Sequence, residues 1–329
     1  MITSRTPLRV SFFGGGTDYP EYFERAHGAV LGMAIDKYVY VSALRLSSIL
    51  DYRYRISYSR IEMVQDLEEI QHPAVLAILR HYEVTDALDI SIMSDLPARS
   101  GLGSSSTFVV GFLNLVAALR GRCPTKLDLA RQAVFAEREL LGENVGVQDQ
   151  HHAAFGGLNR FDFEPGRVRL SPVPMTATCL DALTGSLLLL HTGITRFASA
   201  TLDEQMARTR AGSVDRDLSH LLLLVDQATE VLTGNDPERM LATFGAMLHE
   251  GWETKKRLSS RISNPAIDAL YDAARAAGAL GGKLCGAGSG GFLLVVVPPA
   301  VQPRFREALR NTAIVPIGLD TVGAIIMNG

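Results

Sequence analysis

Four segments of this chain place glycine, hydroxyl and carboxylate residues at spacings suited to phosphate chemistry. The first lies between Asp95 and Thr107 and reads Asp-Leu-Pro-Ala-Arg-Ser-Gly-Leu-Gly-Ser-Ser-Ser-Thr. Gly101 and Gly103 remove side chains that would keep a ligand away from the backbone. Ser104, Ser105, Ser106 and Thr107 stand at the start of an apolar stretch of helical length, Phe108 to Leu119. Unpaired N–H groups and the helix dipole favour an anion there. Strand, Gly/Ser loop and helix in that order make a phosphate cradle. It is not a Walker loop, because no Gly-Lys-Ser/Thr closes it.

The second segment, Gly281 to Gly291, holds six glycines in eleven residues ahead of an apolar run. That density signals a backbone approaching a ligand or another backbone. The third, Pro7 to Tyr19, ends in Gly14-Gly15-Gly16-Thr17-Asp18. Asp18 suits either sugar hydroxyls or a turn cap. The fourth pairs Glu137, in Phe135–Glu139, with Asp149, in Gly146–His152. Phosphoryl transfer needs a cation for the phosphate oxygens and a carboxylate to orient or deprotonate the acceptor. Carboxylate and hydroxyl oxygens suit Mg²⁺. Alone, Glu137 reads as a solvated helix residue and Asp149 as a loop cap. His151 and His152 are adjacent and so diverge on either element type, which argues against a metal pair.

Other classes fall away on composition. With 32 basic and 35 acidic residues the formal charge is −3, which gives no case for nucleic acid or an anionic membrane. Cys123, Cys179 and Cys285 are few and widely spaced. They suit a reducing compartment and show neither a zinc pattern nor a disulfide framework. The start of the chain lacks an apolar signal core, and the longest apolar runs are of strand length. A cytoplasmic protein is expected.

At 329 residues, two domains are expected, divided near residue 180. Strands are predicted at Leu8–Phe13, Ala29–Leu46, Tyr52–Tyr58 and Asp89–Ser94, with a helix at Pro73–Tyr82. After the apolar helix, Thr125 caps a helical pattern over Lys126–Leu141. A hairpin spans Gly156–Val173 and turns at Glu164-Pro165-Gly166. The second part opens with a strand at Ser186–His191. Helices are predicted across Leu218–Leu232, Pro237–Arg257, Pro265–Gly278 and Pro303–Asn311. Strands follow at Gly291–Val297 and Gly323–Met327. An α+β second domain is the natural reading.

Together the four segments resemble the GHMP kinase superfamily, over nearly the whole chain. Pro97–Ser106 matches its nucleotide-phosphate loop, Gly286–Gly291 its third motif and Pro7–Tyr19 its first, which in the sugar kinases ends in Thr-Asp-Tyr, here Thr17–Tyr19. Where galactokinases have Gly-Glu-His, this chain has Gly14-Gly15-Gly16, and so lacks two sugar-contacting side chains. The triple glycine resembles the bacterial D-glycero-D-manno-heptose 7-phosphate 1-kinases, as do Leu190–Arg196 and His249–Ser263. The resemblance implies a two-domain α+β fold, with a mixed N-terminal domain over 1–180 and a ferredoxin-like C-terminal domain over 181–329.

It also implies an ATP- and Mg²⁺-dependent kinase for the C1 hydroxyl of the heptose phosphate, serving nucleotide-activated heptose and surface polysaccharide synthesis. Pro97, Arg99, Gly101, Leu102, Gly103, Ser104, Ser105 and Ser106 would hold the nucleotide. Ser105 and Glu137 would hold the metal. Asp149 would be the base, with Arg9 beside it and beside the transferring phosphate. Gly14, Gly15, Gly16, Thr17, Asp18, Gly286, Ala287 and Gly288 would face the sugar. Lys283 and Arg196, with Lys255 and Arg99, are candidates for the sugar's own phosphate. No nucleic acid or membrane partner is expected, and a homodimer is compatible. Other acceptors (fucose, mannose, galactose) and a silent sugar/ATP sensor on the same fold are the alternatives.

Overall fold

In the computed structural model, which describes residues 1–194 and 199–328, the β-branched runs of the first half form one large sheet. Strand β1 (Ile2–Phe13) passes through the glycine corner into a single turn, α1 (Pro20–Phe23), and then β2 (Gly28–Arg45). Strands β3 (Tyr54–Ser57) and β4 (Ile61–Val64), helix α2 (Pro73–His81) and β5 (Leu88–Ser94) follow. Helices α3 (Ser104–Leu119), α4 (Lys126–Phe135) and α5 (Gln148–Phe155) precede the hairpin β6 (Leu158–Glu164) and β7 (Arg167–Pro172). The rest runs α6 (Ala177–Ser186), β8 (Leu187–His191), α7 (Ser199–Arg210), α8 (Asp215–Leu232), α9 (Pro237–Lys256) and α10 (Pro265–Ala276). It ends with β9 (Gly281–Leu284), β10 (Phe292–Val296), α11 (Gln302–Ala308), β11 (Ile314–Pro316) and β12 (Ile325–Asn328).

The first sheet has the order β12-β1-β2-β5-β3-β4, with β6 and β7 branching from β2. One long strand serves two partners: β2 pairs β6 through residues 28–33 and β5 through 39–45. The second sheet has the order β11-β8-β10-β9, all antiparallel, which is the ferredoxin-like arrangement. The fold is α+β with two sheets, one per half. Among the described residues, no helix is long and apolar enough to cross a membrane.

Local chemistry explains the helix ends. The Thr125 hydroxyl accepts from the Asp128 amide at 3.1 Å and starts α4. Asp236 accepts from the amides of Glu238 and Arg239, and Pro237 fills the first position of α9. Helix α3 is apolar almost all round because it is buried almost all round, against β1 and β2 on one side and α4 and α5 on the other. The two halves share a core. Phe244 of α9 meets Phe12 and Phe13 edge-on, with ring centroids 5.1 and 5.4 Å apart.

The structure adds β4, α6, α7, β9 and β11 to the elements predicted from sequence and differs from that reading elsewhere too. The helix expected to run to Leu141 stops at Phe135 and widens into a π turn, Ala136–Leu140, closed by the Leu141 amide on the Ala136 carbonyl. Such turns redirect side chains at functional sites. Residue 180 falls inside α6, which packs on α9. The last strand returns to the first sheet: β12 pairs antiparallel with β1 and covers what would be its open edge.

Helix α5 carries a pair of buried histidines at its middle. His151 shares a hydrogen bond with the Val147 carbonyl at 2.6 Å and stacks near Phe155. His152 lies 4.8 Å from Phe161, with neither ring nitrogen bonded. Burial drags their pKa values from 6.5 down to about 4 and about 3. The unfolded chain therefore takes up protons that the folded chain refuses. The stability from each neutral ring is full above pH 6.5 and is lost as the pH falls towards those values. At pH 5 the loss from His152 is about 2 kcal/mol. In urea titrations, His152→Gln should flatten the fall in stability between pH 7.5 and pH 5 by that amount. A slope equal to that of the wild type would show that the ring is not held neutral.

Candidate active site

A cleft of about 380 Å³ lies where the glycine corner, the Gly/Ser loop, α5, α7 and the second glycine loop converge. Its central feature is an ion pair. Arg9, on β1, is 4% exposed and sends Nε to Asp149 Oδ1 and Nη2 to Asp149 Oδ2, both at 2.7 Å. Its remaining arm, Nη1, donates to the Gly101 carbonyl at 2.7 Å. Burial by itself would lower the guanidinium's pKa, but the carboxylate outweighs it and the value rises. Asp149 comes from the first turn of α5, and its side chain keeps 22% exposure towards the cleft.

The Gly/Ser loop wraps this pair. Gly103 has φ +74° and precedes the first residue of α3, so the amides of Ser104, Ser105 and Ser106 start the helix without intrahelical partners. A β-carbon on Gly103 would lie 3.2 Å from Asp149 Oδ2 and 3.3 Å from Arg9. Leu102 turns away into the core, and its carbonyl accepts from the Arg9 amide at 3.1 Å. Arg99 and Ser104–Ser106 line the cleft, whereas Pro97 does not.

Glu137 sits behind the loop rather than on the cleft wall. The π turn points it inward, where it is fully buried. Its oxygens accept from Ser106 Oγ at 3.0 Å and Gln150 Nε2 at 2.5 Å. Burial pushes its pKa up to about 8, against those two hydrogen bonds. The hydroxyl touching Glu137 is therefore that of Ser106, while Ser105 points elsewhere on the cleft wall. Among the described residues, no group of three or more His, Cys, Asp or Glu could cage a metal. The donors present are hard oxygens: Glu137, Asp149 and the loop hydroxyls. A buried carboxylate without a cationic partner, beside a phosphate loop, fits Mg²⁺, which takes one or two carboxylates and completes its shell with phosphate oxygens and water.

The three glycines of the corner do different jobs. A β-carbon on Gly14 would strike the Ala29 carbonyl at 1.9 Å, and one on Gly16 would strike Leu218 at 2.9 Å. Gly15 faces the cleft, with Ser11 Oγ and Gln148 Nε2 more than 3.5 Å from the same point. Thr17 is turned inward and bonds the carbonyls of Gly14 and Ala29. Asp18 lines the cleft and accepts from the amides of Gly16 and Gln148. Burial raises its pKa.

In the second glycine loop, Gly286 packs its backbone on Gly101, and Gly291 packs on Ser100. Backbone contact explains most of this glycine run, and Gly286, Ala287 and Gly288 also line the cleft. Lys283 is on the wall too. Arg196 lies outside the described residues.

Two family models match this chain, "GHMP kinases N terminal domain" over residues 69–157 and "GHMP kinases C terminal" over 237–315. The chain is 30% identical, over 94% of its length and 93% of the relative's, to a D-glycero-alpha-D-manno-heptose 7-phosphate kinase of Campylobacter jejuni. The chain belongs to the GHMP kinase family. It is also 27% identical, over 95% of its length but only 36% of the relative's, to the L-fucokinase/L-fucose-1-P guanylyltransferase of Bacteroides fragilis. A crystal structure of a D-glycero-D-manno-heptose 1-phosphate kinase from Bacteriodes thetaiotaomicron superposes with a TM-score of 0.80 at 25% identity, covering 100% and 99% of the two chains. This GHMP kinase is a phosphotransferase acting on a sugar hydroxyl, and the family's phosphoryl donor is ATP.

Several cleft residues of this GHMP kinase escaped the sequence reading: Ser11, Glu143, Gln148, Leu202 and Gln205. Gln148 and Ser11 adjoin singled-out residues, but their isolated polar side chains gave no pattern. Leu202 and Gln205 arrive on α7, far away in sequence.

The contact between Gly103 and the ion pair gives a test. Gly103→Ala should cost about 1–2 kcal/mol for its left-handed backbone and lower turnover at least ~10-fold by displacing the pair. Gly121→Ala is the control, since it has φ +67° and nothing within 4 Å of the added carbon. It should lose similar stability by thermal melting and keep its turnover. Equal turnover in the two variants would disconnect the loop from Arg9 and Asp149.

Proposed function

We propose that this kinase transfers the γ-phosphoryl group of ATP to the anomeric C1 hydroxyl of D-glycero-D-manno-heptose 7-phosphate. The product is the 1,7-bisphosphate, feeding nucleotide-activated heptose and surface polysaccharide synthesis in the cytoplasm. The chemistry rests on one observation, the bidentate Arg9–Asp149 pair at the lip of the Gly/Ser loop. The acceptor rests on near full-length similarity to relatives named as heptose phosphate kinases.

Each Asp149 oxygen uses one lone-pair direction for Arg9 and keeps another for the acceptor. Asp149 takes the proton from the C1 hydroxyl as that oxygen attacks phosphorus. Arg9 stays charged throughout, fixes the carboxylate's angle and offsets negative charge spreading over the transferring group. The amides of Gly101 to Ser105 bind the nucleotide phosphates. Glu137, with a hydroxyl of the Gly/Ser loop, would hold Mg²⁺, which would supply charge neutralisation between phosphates. Ser106 and Gln150 keep the Glu137 carboxylate oriented. Gly15 and Asp18 form the acceptor corner, with Ser11 Oγ and Gln148 Oε1 buried there without partners and available to sugar hydroxyls.

The similarity to the Bacteroides fragilis fucokinase supports a second reading, an unphosphorylated sugar as acceptor. A coupled ADP-release assay across heptose 7-phosphate, fucose, mannose and galactose separates the two, with phosphorus NMR of the product. Heptose 7-phosphate should give the highest kcat/KM, with the new phosphate at the anomeric carbon; phosphate at another carbon sinks the anomeric assignment. Asp149→Asn should keep ATP binding and lose at least ~100-fold in kcat, the scale of general-base loss. For Glu137→Gln, the Mg²⁺ concentration at half-maximal rate should rise, and an unchanged metal titration removes Glu137 from that role.

A further inference from the structure

Two buried cations on the cleft wall are left over once the transfer chemistry is assigned. Lys255 stands in the last turn of α9 and Lys283 in β9, and they are 8% and 7% exposed. Lysines this buried are normally paired with a carboxylate. Among the described residues, both ammonium groups bond only backbone carbonyls. Lys255 Nζ donates to the carbonyls of Gly286 and Leu284, and Lys283 Nζ donates to the Phe12 carbonyl at 2.9 Å.

An ammonium carries three donors. One N–H of Lys255 and two of Lys283 therefore remain for something else. The neighbouring carboxylates are engaged, Asp149 by Arg9 and Asp18 by two backbone amides. Burial pulls Lys255 down to about 8 and Lys283 to about 7, and for Lys283 the charge on Lys255 adds to the effect. Two like charges buried in one wall without a counter-ion are unfavourable until an anion enters.

Position indicates which anion. Phe12, which anchors Lys283, lies two residues before the corner that begins at Gly14, and both lysines line the same cleft as Gly15 and Asp18. They therefore belong to the acceptor's side of the cleft, whereas the nucleotide's phosphates have the Gly/Ser loop. We propose that Lys255 and Lys283 form the subsite for the acceptor's own phosphate monoester and select a sugar that is already phosphorylated. The inference rests on the sugar-phosphate reading above.

The test compares wild type, Lys255→Met and Lys283→Met on heptose 7-phosphate and on the same heptose without phosphate. Each substitution should lower the ratio of the two kcat/KM values by roughly 30-fold or more, the scale of a lost charge-assisted hydrogen bond. The loss should fall on KM for the phosphorylated sugar. Equal losses on both sugars, carried by kcat, would assign the lysines to the transferring phosphoryl group and overturn the proposal. Wild-type enzyme gives a second measurement that needs no variant to fold. Inorganic phosphate should inhibit competitively against the acceptor and not against ATP. Competition against ATP alone, or no inhibition, would overturn the subsite. If wild type prefers an unphosphorylated sugar while phosphate still competes with the acceptor, the heptose 7-phosphate reading fails and the anion subsite stands.

Discussion

The three-armed grip of Arg9 is the constraint on which the rest of the site depends. Two arms hold Asp149 and the third holds the Gly101 carbonyl, so one side chain from β1 fixes α5 and the phosphate loop together. A buried guanidinium is tolerable only with its donors satisfied and its charge met. Both conditions are fulfilled by Asp149 and the Gly101 carbonyl of the Gly/Ser loop. Asp149 cannot swing away from the loop without leaving Arg9 buried and unpaired. Positioning, the larger part of phosphoryl-transfer catalysis, is thus tied to the stability of the fold.

The same economy holds where the two halves meet. Gly101 lies against Gly286, and Ser100 accepts from the Phe292 amide at 3.1 Å while packing on Gly291. Lys255 bonds the Gly286 carbonyl, and Lys283 crosses to Phe12 of the first sheet. Backbone packed on backbone leaves no side chain to hop between rotamers. The cleft floor is stiff although its residues come from both ends of the chain. Its roof differs: α7 reaches the cleft with Leu202 and Gln205 and is held from outside by the Arg210–Glu21 pair and by Glu204 against Ser259 and Ser260. Pairs of this kind on the surface are individually weak.

What the sequence disclosed follows from what each residue type must do. Glycines at 101 and 103, hydroxyls at 104–106 and carboxylates at 137 and 149 are local patterns, and local patterns survive in one dimension. In the second half, α8, α9, α10, β8 and β10 were legible for the same reason, α9 and α10 starting at the caps Asp236 and Asn264, whereas the ferredoxin-like arrangement came from the family resemblance. Other features depend on distance in the fold. Nothing around Ile325 tells that β12 covers the edge of β1, because the pairing spans the whole chain. The π turn was hidden because Ala136–Leu140 has ordinary helical composition, yet it turns Glu137 from a surface residue into a buried one. Lysines 255 and 283 look like common surface charge until burial and the absence of a carboxylate partner are seen together.

The triple glycine at 14–16 brings these strands together. As sequence it reads as one device, the loss of two side chains to widen a pocket. In the fold Gly15 and Gly16 both line the cleft, but only at Gly15 would an added β-carbon meet no close neighbour, while Gly14 and Gly16 are small because Ala29 and Leu218 already occupy the volume. The breadth of the corner therefore comes from one position and from what lines the cleft with it: Ser11, Gln148, Asp18 and Lys283. A corner built this way offers neutral polar atoms and a carboxylate to hydroxyl groups, and positive charge to whatever lies beyond them. That division fits an acceptor with a sugar end and an anionic end better than it fits a neutral sugar, which would leave both lysines buried without a counter-charge.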